Sequence, residues 1–193
     1  MTRGITAYAA YLPRHRLQRE ELGSALGGKA GKGARIVAGF DEDTTTMGVE
    51  AARLALKSAP GADPQALTFA TAAPAYLDKT NATAIHAALR LDSDVAAFDF
   101  GGAIRSSVGA LRAALRPGQP VLVVSADIRD GQPTSAEESS GGDAAAAVIL
   151  GSDEDAPVIA ELLGVGTATD EFIDRWRTPG DRRSKVWEER FGE

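Results

Sequence analysis

The sequence contains no cysteine in its 193 residues. That absence excludes a disulfide framework, a thiolate-ligated zinc site and thiol catalysis by this chain. Aromatic residues make up only 6%, so few bulky side chains are at hand to fill a core, and small residues, 21 glycines among them, take their place. A basic excess is missing too: 21 Lys+Arg stand against 27 Asp+Glu, a formal charge of −6. Without surplus cations to neutralise phosphates, a nucleic-acid-binding role is disfavoured. No apolar run approaches the roughly 18 residues of a membrane span. The opening stretch, residues 1–8, lacks the apolar core of a signal peptide, so a cytoplasmic location is expected.

What is present suits one compact domain with a real core: 44% of residues are apolar and 25% charged. Residues 4–12 alternate and end at Pro13, which predicts a first strand. Leu22 and Leu26 fall at i, i+4 and predict a short helix over residues 18–26. The Gly/Lys-rich stretch 27–33 reads as a mobile surface loop; as a phosphate loop it lacks both the G-x-x-x-x-G-K-[ST] order and a preceding strand. Asp41, Glu42 and Asp43 read as the capped start of a helix beginning near Met47, with a metal cluster as the alternative. Met47, Ala51, Leu54 and Ala55 give that helix its inward stripe.

Further strands are predicted at 67–72, 95–100, 120–128 and 143–150, with another at 157–165, and helices at 81–91 and 103–116. Strands alternating with helices at this spacing predict βαβ units and a mixed, mostly parallel five-stranded sheet with helices on both faces. The long polar connection 130–142 is expected to be functional or at an interface. His15 and His86 have no carboxylate at ligand spacing and read as structural or surface residues. No metal site is expected.

The stretch carrying most information is the strand–glycine–helix junction Phe98-Asp99-Phe100-Gly101-Gly102-Ala103-Ile104-Arg105-Ser106-Ser107. Such a turn presents its apex residue at a helix N-terminus, where free N–H groups and positive potential lower a nucleophile's pKa or hold an oxyanion. The apex here is Ile104, which has nothing to ionise. It also opens the apolar series Ile104, Val108, Leu111 and Leu115, the expected inward face of the following helix. Ser106 and Ser107 lie beyond it with no paired His or acid in sequence.

At this junction the sequence resembles the thiolase superfamily, in its hydroxymethylglutaryl-CoA synthase and ketoacyl-ACP synthase III branch. Matching segments follow in order: 5–13, 43–56, Phe69-Ala70-Thr71, Ala97-Phe98-Asp99-Phe100 running into Ala103, 121–127, Gly141-Gly142-Asp143-Ala144-Ala145-Ala146, and the tail 170–180. The resemblance covers nearly the whole chain and implies a βαβαβαββ N-terminal half-fold, residues 1–168, with the active site formed between two such halves. It further implies that the family's nucleophilic cysteine falls at Ile104 and its acid/base glutamate at Ala72, the remaining catalytic His and Asn coming from a second half. Gly102, Ala103, Arg105, Gly141 and Gly142 are then the candidate substrate-binding residues, for CoA or an acyl-CoA thioester that is not covalently held.

Residues 169–193 form an aromatic, charged segment. Phe172 and Trp176 repeat the i, i+4 spacing of Trp187 and Phe191, which predicts a helix docking on a partner or back on its own domain. Arg182 and Arg183 are candidates for meeting a CoA phosphate. The expectation is a non-catalytic subunit of an acyl-thioester-processing assembly. It would be paired with a thiolase-like chain, a chain carrying a second half, or a zinc-ribbon/OB-fold acyl-CoA-binding protein. The alternatives are an acyltransferase or condensing enzyme working non-covalently, and a portion of a longer synthase.

Overall fold

The computed structural model describes residues 2–27, 31–116, 118–133, 135–173 and 175–187. Strand β1 (Arg3–Tyr11) is followed by β2 (His15–Gln18), helix α1 (Arg19–Leu26) and β3 (Ala34–Val37). Helix α2 (Thr44–Ser58) leads to β4 (Ala66–Thr71), α3 (Ala82–Leu89) and β5 (Ala96–Gly101). Then come α4 (Ser106–Ala114), β6 (Val121–Asp127), the short α5 (Ala136–Ser140) and β7 (Ala144–Ser152). The last elements among the described residues are three two-residue strands, β8 (Ala160–Glu161), β9 (Arg175–Trp176) and β10 (Lys185–Val186).

Helix α2 follows the acidic run as expected but starts at Thr44, three residues ahead of Met47. Asp43 is its N-cap and accepts from the Thr46 N–H at 2.7 Å, while the Thr46 hydroxyl accepts from the Asp43 N–H at 2.8 Å. This reciprocal box satisfies two donors the helix end would otherwise leave open. Among the described residues no cluster of His, Cys, Asp or Glu is placed to hold a metal ion.

The chain divides into two compact units. The first takes in residues 1–15, 36–128 and 143–163. It is built on a six-stranded sheet in the order β5-β4-β6-β7-β1-β8, one strand more than the sequence pattern predicts. Strands β4 and β5, and β4 and β6, run parallel; β6–β7, β7–β1 and β1–β8 are antiparallel. Helices α3 and α4 provide the crossovers from β4 to β5 and from β5 to β6. The period of two along each strand sends side chains to opposite faces. Leu67, Phe69, Leu122, Val124, Ala147 and Ile149 pack with α2 and α3, while Ala70, Val123 and Leu150 pack with α4. Phe69 is fully buried and is the largest side chain of the core. Elsewhere alanines (Ala51, Ala52, Ala55, Ala82, Ala147) let helix and sheet close together.

The α4 stripe departs from expectation. The residues that reach the core are Ala110 and Ala114, with Leu111 and Leu115 half-buried; Ile104 and Val108 are about half exposed. The helix begins at Ser106, so Ile104 lies in the turn ahead of it and falls out of the helical register. In α2, Leu54 is likewise exposed and Ala52 takes its place inside.

The second unit gathers residues 16–35, 129–142 and 164–193, segments far apart in sequence, and so replaces the expected boundary at 168/169. Charge pairs join them. Arg35, buried, donates to the carbonyls of Glu138 (2.9 Å) and Arg129 (2.6 Å) and pairs with the Glu138 carboxylate at 3.0 Å. Arg175 meets Glu137 at 2.7 Å, and Arg129 meets it at 3.4 Å. The connection 130–142, expected to be a loop, holds α5, capped by Ser135, whose hydroxyl accepts from the Glu138 N–H at 3.1 Å. The expected tail helix is also corrected: β9 and β10 pair antiparallel, Trp176 opposite Lys185 and Arg175 opposite Val186. An i, i+4 aromatic spacing cannot outweigh Pro179-Gly180, where Gly180 sits at φ +91° and turns the chain. Of the glycine-rich stretch, residues 28–30 lie outside the described residues.

Candidate functional site

In parallel βα arrangements ligands gather beyond the carboxyl ends of the strands. In the first unit three such ends meet, because β4 pairs with both β5 and β6 and Thr71 stands opposite Gly101. Asp127, closing β6, binds across to the end of β4: its carboxylate accepts from the Ala72 N–H at 2.7 Å and the Thr71 hydroxyl at 3.2 Å. Ala73 N–H in turn donates to the Thr71 hydroxyl at 3.0 Å. Ala72 is thereby held by its backbone, with only a methyl group to offer.

The loop after Ala73 is fixed from β5. Asp99 accepts from the N–H groups of Asn81 and Ala82, both at 2.7 Å, and so caps α3 from a distant strand. Its charge also suits the positive end of that helix. Asn81, 2% exposed, donates to the carbonyls of Tyr76 and Lys79 and accepts from the Tyr76 N–H at 3.0 Å. Asp127 and Asn81 carry most of the order at this end of the sheet, and sequence reasoning assigned them no role. An acidic residue closing a parallel strand is the signal that points to Asp127.

The elbow itself follows β5. Gly102 adopts φ +100°, a conformation that penalises any side chain. The Ser106 hydroxyl donates to the Gly101 carbonyl at 2.8 Å and accepts from the Ala103 N–H at 3.3 Å. That binding makes Ser106 the clasp of the turn; among the described residues its hydroxyl bonds to no base. His86 is committed elsewhere, with Nε2 3.0 Å from the Asp92 carbonyl. Among the described residues the backbone N–H groups of Ile104 and Arg105 take no acceptor. Two free donors at a helix start and an exposed aliphatic apex can hold a carbonyl oxygen against an apolar wall.

No family model matches the sequence. Over 183 residues the chain is 34% identical to the hydroxymethylglutaryl-CoA synthase of Pyrococcus furiosus, taking in 90% of this chain and 52% of that protein. With the hydroxymethylglutaryl-CoA synthase of Methanocella arvoryzae it shares 31% over 197 residues, 93% of this chain and 55% of the other. Its fold matches an HMG-CoA synthase complexed with CoA at a TM-score of 0.86, with 22% identity, covering 100% of this chain and 52% of that one. A 3-oxoacyl-ACP synthase III from Thermus thermophilus matches at 0.68 with 26% identity, covering 77% of this chain and 51% of that one. The chain has a thiolase-like fold and is similar in sequence to hydroxymethylglutaryl-CoA synthases. It spans about half the length of the curated relatives it matches.

The residues singled out from sequence fall in both units. Gly102, Ala103, Ile104 and Arg105 share the elbow, and Ala72 follows the neighbouring strand of the same unit. Gly141 and Gly142 belong to the second unit. There Gly141 ends α5, donating to the Glu137 carbonyl at 2.8 Å, and a Cβ on it would lie 2.4 Å from that oxygen. Its glycine is demanded by backbone packing. Of the four aromatics expected at an interface, Phe172 is largely exposed, Trp187 about half and Trp176, in β9, about a third; Phe191 lies outside the described residues. No helix of the described residues is long and apolar enough to cross a membrane.

Proposed function

We propose that this chain supplies part of a hydroxymethylglutaryl-CoA synthase-like site that receives an acyl-CoA thioester but does not itself carry the acyl group. The supporting observation is Ile104, standing exposed at the elbow in a sequence without cysteine. An acyl-enzyme step needs a thiolate to attack the thioester carbon while the CoA thiolate departs, and an alkyl group has no electron pair to give. Ala72, where the resemblance places an acid/base glutamate, has no proton to move. The chain therefore acts as a non-catalytic member of an acyl-thioester-processing assembly. The partner is a thiolase-like chain, a chain bearing a second half, or a zinc-ribbon/OB-fold acyl-CoA-binding protein.

Incubating the purified chain with acetyl-CoA and weighing the intact protein tests this. The unmodified mass is expected, and an acetyl adduct on any side chain overturns the reading. Ile104→Cys is expected to gain a thioester adduct of one acetyl group. Pull-down with gel filtration from native extract is expected to give a complex, and a lone monomer would count against the assembly.

The free N–H groups of Ile104 and Arg105 favour a second reading, an acyltransferase or condensing enzyme that polarises the thioester carbonyl non-covalently. Turnover of labelled acyl-CoA by the purified chain, unchanged by Ser106→Ala or Ser107→Ala, would support it.

A further inference from the structure

Helix α4, within the first unit, carries two matched stripes beside the side it buries. Ile104, Val108, Leu111 and Leu115 follow at intervals of four, three and four, the spacing of a seam along which two helices pack. The core does not absorb that seam. The buried contacts come from Ala110 and Ala114, while Ile104 and Val108 are about half exposed and Leu111 and Leu115 half-buried. Arg105, Arg112 and Arg116 each follow a member of the seam by one residue, and all three are exposed. In the heptad frame Arg105 and Arg112 hold the same flanking position, where charge selects the partner helix. Residues 104–116 contain no carboxylate, although the whole chain has a net charge of −6. Arg105 and Arg116 make no ion pair or side-chain hydrogen bond among the described residues.

These charges decide between occupants. A second copy does not answer them: laid antiparallel it sets arginine against arginine, and laid parallel it offers Ser107 and Ala114, which carry no charge. A helix with carboxylates beside its apolar stripe answers both features at once. Its hydrocarbon covers Ile104 and Val108, and each carboxylate accepts the paired N–H bonds of a guanidinium fork.

We propose that the exposed side of α4 is a docking face for an acidic amphipathic helix of a partner chain. Resting on the assembly reading above, it gives that partner a chemistry: an apolar stripe flanked by Asp or Glu. Ile104 and Arg105 belong to the elbow as well as to this face, so the docked helix closes over the elbow.

The test titrates the full chain into a fluorescently labelled helical peptide with Leu along its apolar stripe and Glu on both flanks, following anisotropy. The like charges keep that peptide from pairing with itself, and a control peptide carries Lys in place of Glu. The Glu peptide is expected to bind at least about tenfold more tightly than the Lys peptide, a gap that narrows as salt is raised. Arg105→Glu combined with Arg112→Glu is expected to invert the preference, and the gain of Lys-peptide binding shows that the variant is folded. Val108→Asp is expected to weaken the Glu peptide about tenfold. Equal affinity for the two peptides, no binding of either, or a preference that survives the charge reversal overturns the face. Peptide binding in the expected order, with no complex from native extract, upholds the face and overturns the assembly reading. A native complex that the charge reversal leaves intact upholds that reading and overturns the face.

Discussion

The two units are held together by different physics. The first is a sheet with buried Leu67, Phe69, Leu122, Val124 and Ile149 on one face and Val123 and Leu150 on the other. Its stability scales with apolar area removed from water, a term salt and mild acid barely touch. The second has its described contacts dominated by guanidinium and carboxylate: Arg35 on Glu138, Arg129 and Arg175 on Glu137, Arg183 on Asp130. Directional, charged contacts of this type define a geometry more than they supply stability. The apolar unit supplies the scaffold of the elbow, and the charged unit is the one expected to respond to salt.

The sharpest way to test the contrast is to damage each at its centre. Phe69→Ala empties the largest fully buried position and is expected to cost about 3–5 kcal/mol, read by chemical denaturation. Arg35→Ala is expected to cost less, about 2 kcal/mol, because Glu138 keeps some contact with water once its partner is gone. Its effect should be local. Hydrogen exchange should quicken over residues 129–142 while amides of β4 and β6 keep their protection. Equal loss in both units would erase the distinction.

The layered part of this fold is legible in sequence because period-two strands and a capped helix are local signals. Val121-Leu122-Val123-Val124 and the Asp43 box each announce themselves within a few residues. The second unit is not legible in that way. Arg35 finds Glu138 across 103 residues of chain, and nothing in the composition of either segment names the other. The aromatic tail misleads for a related reason: i, i+4 spacing is a helix signal only where the backbone is free to be helical, and Gly180 at positive φ turns it instead. At the elbow, the strand, the glycines and the apex position are all readable. That Ile104 faces outward is not, since an isoleucine ahead of an amphipathic helix reads as core until the helix start is known to be Ser106.

A smaller effect comes from the one hydroxyl–carboxylate bond tying β1 to the α2 approach. Tyr11 donates to Glu42, whose other oxygen accepts from the Gly39 N–H at 2.5 Å. Tyr11→Phe is expected to cost about 1 kcal/mol. The bond to Glu42, then burial, raises the Tyr11 pKa above 10.0, because both favour the neutral phenol. A raised folded value places its contribution fully below pH 10 and removes it as pH climbs through the folded pKa. Wild type and Tyr11→Phe should therefore converge in stability only in strong alkali, and convergence near neutrality would show that the hydrogen bond contributes nothing.

The smallest expected effect belongs to Asp181 in the second unit. Its carboxyl is lowered from 3.8 to about 2, first by the Thr178 hydroxyl, next by the Thr178 N–H, and only then by Lys185. A depressed folded value means its contribution is fully present above pH 3.8 and is lost as pH falls through about 2. A carbon-detected NMR titration should place the Asp181 midpoint near 2, and Thr178→Val should raise it more than Lys185→Ala does. That order would show that even in the charged unit the decisive contacts of a partly exposed carboxylate are hydrogen bonds, the ion pair being screened by water. The reverse order would mean that the ion pair with Lys185 governs the turn at residues 178–181.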